Sequence, residues 1–167
     1  MGTRLYYEHF AKYNFPNIKI RVWQDNIRPW FVDFYIGDEN GKINKYIKQN
    51  VIPRIMNIRE ADIKFHFKPY DAILSDSVPS EPNLPDNIKT LALNPDTTVK
   101  GLYCKFKAAF PSLGDFKIYA PLFPDVIGIE TKNKLSKSEL TKVERLGKEL
   151  ISVTSELKVF NSSAAKK

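Results

Sequence analysis

Lys19, Arg21 and Trp23 occupy alternate positions, and the residues between and before them are Ile18, Ile20 and Val22. Strict period-two alternation marks a half-buried strand, so the two cations and the indole project from one side together. Arg4 lies upstream. Arg28 and Trp30 flank the next turn, and Lys42 and Lys45 follow a glycine turn, with Lys48 just beyond. Cations displace counterions from phosphates, and aromatic rings offer stacking faces to unpaired bases. The chemistry this set can do is nucleic-acid contact, and its candidate residues are Arg4, Lys19, Arg21, Trp23, Arg28, Trp30, Lys42 and Lys45. The competing reading is a solvated strand face whose Trp23 is covered by C-terminal segments.

Catalytic chemistry has thinner support. Asp33 interrupts an apolar strand, and a buried carboxylate there can act as a general base, or simply pair with Arg21 or Arg28. His66 lies on the polar side of its segment, and Glu130 is the third titratable candidate for a cleft between the two halves of the chain. No spacing among these three defines a reaction. The other histidine, His9, falls on an apolar helical stripe, where a core or boundary role fits. Phosphate loops and serine-nucleophile elbows are absent. Cys104 is alone, which excludes an intrachain disulfide, a thiolate zinc cluster and a thioredoxin-type redox pair. The expectation is a chain with no catalytic residue, metal, cofactor or small-molecule substrate.

The 167 residues fit one ordinary domain, or a small domain with an extension, with a formal charge of +7. Such a balance favours polyanionic partners. The charge is uneven: twelve basic residues face seven acidic ones up to Lys68, whereas five acids face only Lys89 between Asp71 and Asp96. From Lys132 onward nine basic residues face four acids. The ends are therefore the candidate contact surfaces. No apolar run approaches the roughly 18 residues of a membrane span, and no secretory h-region is present.

These side chains must be positioned by elements, and the pattern predicts them as follows. Thr3 caps a helix over 4–13 with a stripe of Leu5, Tyr6, His9, Phe10 and Tyr13. Strands are predicted over 17–23, over 30–36 (apolar enough to be buried on both faces) and over 62–68, and residues 42–47 can pair as a third hairpin strand. Residues 49–60 fit either a short helix with Pro53 near its start or an irregular crossover. The five prolines of 69–98 predict an extended acidic connector, and 100–108 and 116–118 read as strands. Ser136–Glu139 has capping-box form and opens a long helix to Phe160. Its stripe of Val143, Leu146, Leu150, Val153, Leu157 and Phe160 is core packing or a protein-docking surface. No internal repeat is evident.

The pattern Gly2-x-Arg4-x-Tyr6, then Phe15-Pro16-x-Ile18-x-Ile20-x-Val22, then Pro29-x-Phe31-x-x-x-Tyr35 and Gly41 resembles a mitochondrial family. It is the thioredoxin-like domain shared by several mitochondrial ribosomal proteins and a small accessory subunit of respiratory complex I. The match spans residues 2–45. In that family a strand precedes the glycine–arginine motif, and segments 63–67 or 116–118 are the candidates to take its place here. The expected chain is α+β: the resemblance implies a thioredoxin-like mixed sheet with helices over 1–68, and the patterning of the rest adds a Pro-rich acidic connector over 69–98 and a strand-containing extension over 99–131. A C-terminal helix over 132–160 and a tail over 161–167 complete it. The resemblance further implies a non-enzymatic structural component of the mitochondrial ribosome in the matrix, with the eight residues above contacting ribosomal RNA and the helical stripe meeting neighbouring ribosomal proteins. An accessory, protein-interacting subunit of a respiratory-chain complex is the alternative.

Overall fold

The computed structural model describes residues 2–24, 28, 30–61, 63–120 and 126–162. Thr3 accepts a hydrogen bond from the Tyr6 N–H at 3.0 Å and opens α1 (Arg4–Asn14), which ends at Phe15 ahead of Pro16. The chain reverses through β1 (Lys19–Trp23) and β2 (Phe31–Gly37), an antiparallel pair with Trp23 opposite Asp33. Only Phe31 of β2 is exposed, as its continuous apolar run predicts. Gly41, at φ 77°, closes the turn that follows, a conformation open to a residue without Cβ.

The third hairpin strand expected at 42–47 does not form. A wide helical turn (Ile47–Val51) runs straight into α2 (Ile52–Met56) and buries Ile47, Val51 and Ile55, which share one face at four-residue spacing. Residues 49–60 thus take the helical alternative. The crossover returns the chain as β3 (Lys64–Pro69), parallel to β2 with His66 beside Asp33.

Residues 69–98 are more structured than a connector. They hold α3 (Ala72–Ser75) and α4 (Asp86–Leu93), and Leu84, Ile88 and Ala92 are buried core residues. Next come α5 (Val99–Ala109), a short 3-10 turn (Pro111–Leu113), and β4 (Phe116–Tyr119) paired antiparallel with β5 (Val126–Thr131). Helix α6 (Lys137–Gly147) opens with the predicted capping box and ends in a 3-10 turn (Lys148–Leu150). The final strand β6 (Glu156–Asn161) lies parallel to β5.

Three sequence expectations are corrected here. Residues 100–108 are helical, because Thr98 caps them and Leu102 and Phe106 make a four-residue apolar step. The helix predicted to Phe160 stops a turn past Gly147, and Ile151–Ser155 form a buried crossing into β6. The β-branched run Ile151, Val153 and Thr154 disfavours helix. A Cβ at Gly147 would sit 2.6 Å from a Leu157 methyl and 2.7 Å from the Phe106 ring, so glycine permits the close return of β6 over α6. Finally, α1 is rotated from its predicted stripe: Tyr7 and Ala11 face the sheet, whereas His9 is exposed and Tyr13 is 80% exposed.

The architecture is α+β, with two separate three-stranded mixed sheets and six α-helices among the described residues. Of the two candidate segments for a further strand, 63–67 joins the first sheet from Lys64 onward as part of β3, and 116–118 belongs to the second as part of β4. The order helix, hairpin, helical crossover, parallel strand occurs twice. Thr3 and Thr98 are N-caps in the same geometry, both helices have 11 residues, and both end at a Phe-Pro pair, Phe15-Pro16 and Phe110-Pro111. Tyr7 and Ala11 hold the same helical positions as Leu102 and Phe106. The chain therefore does contain an internal structural repeat. It escapes sequence comparison because the topology needs only a cap, an apolar step and a stop, and leaves every other position free.

Each unit has its own core, and each core borrows from the other unit. Val153 packs with the first cluster, and Leu5 against the second.

Candidate nucleic-acid interface

Because side chains alternate along a strand, the outer face of the first sheet collects every second residue of β1, β2 and β3. Lys19, Arg21 and Trp23 come from β1, Phe31, Asp33 and Tyr35 from β2, and Lys64, His66 and Lys68 from β3. The opposite face carries Ile20, Val22, Val32, Phe34 and Ile36, all in the first core.

Lys19 is exposed, and its Nζ donates to the Glu39 carbonyl at 2.7 Å. Lys64 and Arg28 approach the Phe31 ring at 5.3 and 5.8 Å from its centroid. Asp33 is buried beneath Arg28 at 3.1 Å, His66 Nδ1 at 3.1 Å and Lys68 at 3.2 Å. Lys68 reaches Asp76 at 2.6 Å, and the Tyr35 hydroxyl donates to the same Asp76 carboxylate at 2.8 Å. The Lys68 hydrogen bond, reinforced by that hydroxyl, holds the Asp76 carboxyl below the usual carboxylate range. Burial opposes charge on Lys68, but hydrogen bonds to Asp76, Tyr35 and Asp33 outweigh it and raise its pKa.

Arg21 is 4% exposed, contrary to the expectation of a solvent-facing cation. Its Nη2 donates to the Pro79 carbonyl at 3.3 Å. Its Nη1 lies 3.0 Å from Glu81 Oε1 and 3.8 Å from Glu8 Oε1, yet makes no hydrogen bond. Beside it Trp23, half-buried, lines a cleft of about 250 Å³ with Gln24, Pro79, Pro82 and Lys148. Trp30 precedes β2 in the left-handed region at φ 75°, and its carbonyl accepts the Lys64 N–H at 2.7 Å.

The remaining candidates do not join this face as free cations. Arg4 is clamped between Glu8 and Glu149 at 2.9 and 3.0 Å. Glu8 also accepts the Val22 N–H at 2.8 Å, and its burial raises its pKa in spite of Arg4. Lys42 is hydrogen-bonded to Asp71, and Lys45 is exposed at the start of the helical crossover. Lys64, His66, Lys68 and Phe31 are the contributors the candidate set omitted. Their alternation was legible, but the parallel pairing that sets them beside β2 was not.

Of the three catalytic candidates, the fold brings Asp33 and His66 together and leaves Glu130 in the second sheet, where it accepts from the Tyr119 hydroxyl at 2.5 Å. Among the described residues no group of three metal-ligating side chains exists, and no helix is long and apolar enough to cross a membrane. The stripe read as a docking surface is internal: Val143, Leu146, Leu150, Val153 and Leu157 are buried, and only Phe160 remains open, at 44% exposure. Leaving helix for strand after Ile151 turns Phe160 outward while Leu157 and Val159 point in. No family model, curated protein or solved structure matches this chain.

Proposed function

We propose that this chain is a non-catalytic RNA-contacting protein that works within a ribonucleoprotein. The observation that supports the reading is the convergence of Lys19, Arg21, Trp23, Phe31, Lys64, His66 and Lys68 on one outer sheet face. A row of cations interleaved with aromatic rings suits a single strand, whose phosphates take the cations and whose bases stack. Asp33 is the shared counter-charge of Arg28 and Lys68, a role that suits a binding face.

The particle toward which residues 2–45 point, by their resemblance, is the mitochondrial ribosome in the matrix. A thioredoxin-like kinship of the first unit and contacts with neighbouring ribosomal proteins belong to the same proposal. Fluorescence anisotropy with a short single-stranded RNA tests it. Affinity should fall steeply with salt, and the double substitution Lys19→Gln/Lys64→Gln should flatten the logarithmic salt slope by about 1.4, at about 0.7 for each phosphate no longer neutralised. Binding that is indifferent to salt would sink the reading. Sedimentation from lysate with and without RNase then tests the particle.

A further inference from the structure

The segment between β3 and α4, residues 70–85, lies against the face just described, and two of its carboxylates land on that face's cations. Asp76 holds Lys68 and Tyr35, and Glu81 stands over Arg21, whose Nη2 donates to the Pro79 carbonyl, while Asp71 holds Lys42 just past the end of β2. Three of the five acids between Asp71 and Asp96 are used in this way. The other two make local contacts, Asp86 with Lys89 and Asp96 with Thr98.

Beyond the backbone bonds at its start, from the Tyr70 N–H to the Ile36 carbonyl and from the Asp71 N–H to the Gly41 carbonyl, this strap is held to the face chiefly by charged side chains. Leu84 is its only buried residue, and Leu74 is 88% exposed. The Glu81 side chain is 58% exposed and that of Asp76 33%. Ion pairs so open to water are weak and salt-screened. Beneath them the Arg21 side chain is only 5% exposed with Nη1 making no hydrogen bond, so its cover satisfies it only in part. A phosphate accepts from the same donors and can take two guanidinium N–H groups at once.

We propose, resting on the RNA-contacting reading above, that residues 70–85 are an internal stand-in for RNA on this face. An incoming single strand displaces them by putting phosphates where Asp71, Asp76 and Glu81 now sit. The segment that gives the chain its acidic middle is then the competitor that keeps the basic face from binding polyanions indiscriminately, and only a strand long enough to replace all three carboxylates removes it.

The test compares the wild-type chain with D71N/D76N/E81Q and with a control, D86N/D115N/E156Q. The control removes three exposed carboxylates that each lie near a lysine elsewhere. Both triples change net charge equally, so a difference between them reports position. With a 12-nucleotide single-stranded RNA, the strap triple should bind at least tenfold tighter than wild type, with the control within threefold. Hydrogen exchange of wild-type amides 73–83 should accelerate when RNA is added, a readout that does not depend on any variant folding. Equal effects of the two triples, or exchange that is unchanged or slowed by RNA, overturn the strap while wild-type binding leaves the RNA-contacting reading standing. If neither wild type nor strap triple binds, both fall. Binding by the strap triple alone supports both.

Discussion

Lys105 shows how much a single buried charge can govern here. It is 2% exposed, and its Nζ donates to the Asn94 carbonyl at 2.6 Å and the Leu150 carbonyl at 3.4 Å, joining the end of α4 to the 3-10 turn after α6. Carbonyls at helix ends favour a cation, but burial wins and pushes the ammonium from its ordinary 10.5 down to about 8. Above pH 8 the folded chain gives up this proton while the unfolded chain still holds it, so stability rises with pH in that window. Between pH 7.5 and 9.5 the gain should reach up to about 2 kcal/mol, at about 1.4 kcal/mol per unit. Lys105→Met should abolish the rise. Urea midpoints at the two pH values check this, and a parallel rise in the variant would assign the effect elsewhere. At this same scale the site was half legible. Lys19, Arg21 and Trp23 share a face as their alternation requires, but Arg21 lies under a segment 58 residues further on, and no local pattern encodes such a cover.

The two N-caps test what the repeated elements have in common and where they differ. The Thr98 hydroxyl accepts from the Gly101 N–H at 3.1 Å at an exposed helix start, so Thr98→Ala should destabilise by about 1 kcal/mol. Thr3 caps α1 in the same way, but it is fully buried and also donates to the Ala92 carbonyl at 2.5 Å, across to α4. Removing it loses the cap and strands a buried acceptor, so Thr3→Ala should cost about 2–4 kcal/mol. Thermal unfolding of the two variants measures the difference, and equal losses would mean that the α1–α4 bond contributes nothing. The elements read correctly from sequence were those whose own pattern decides them: α1 by its cap, β1 by alternation, β2 by its apolar run, β3 by Phe65 and Phe67. Those misread were settled by packing. Leu157 fits a helical stripe with Phe160 as well as a strand with Val159, and the choice of β6 rests on parallel pairing with β5 and on the room Gly147 leaves beneath it.

Over the whole chain, duplication of one topology would ordinarily give two independent domains, yet the units are bound together at a shared seam. Val153, from the second unit, packs in the first core, and its N–H donates to the Gly2 carbonyl at 3.1 Å. Arg4 meets Glu149 at 3.0 Å, and α4 lies between α1 and the second core. Loss of either unit would expose apolar surface on the other, so the two should unfold as one. The chain supplies its own probe, because both tryptophans, Trp23 and Trp30, are in the first unit. Leu146→Ala empties a buried position in the second core and should cost about 2–4 kcal/mol. If the seam couples the units, tryptophan fluorescence and far-ultraviolet circular dichroism will report the same lowered midpoint. A fluorescence midpoint that stays at the wild-type value would show two units folding separately, and the seam would then be a contact between finished domains.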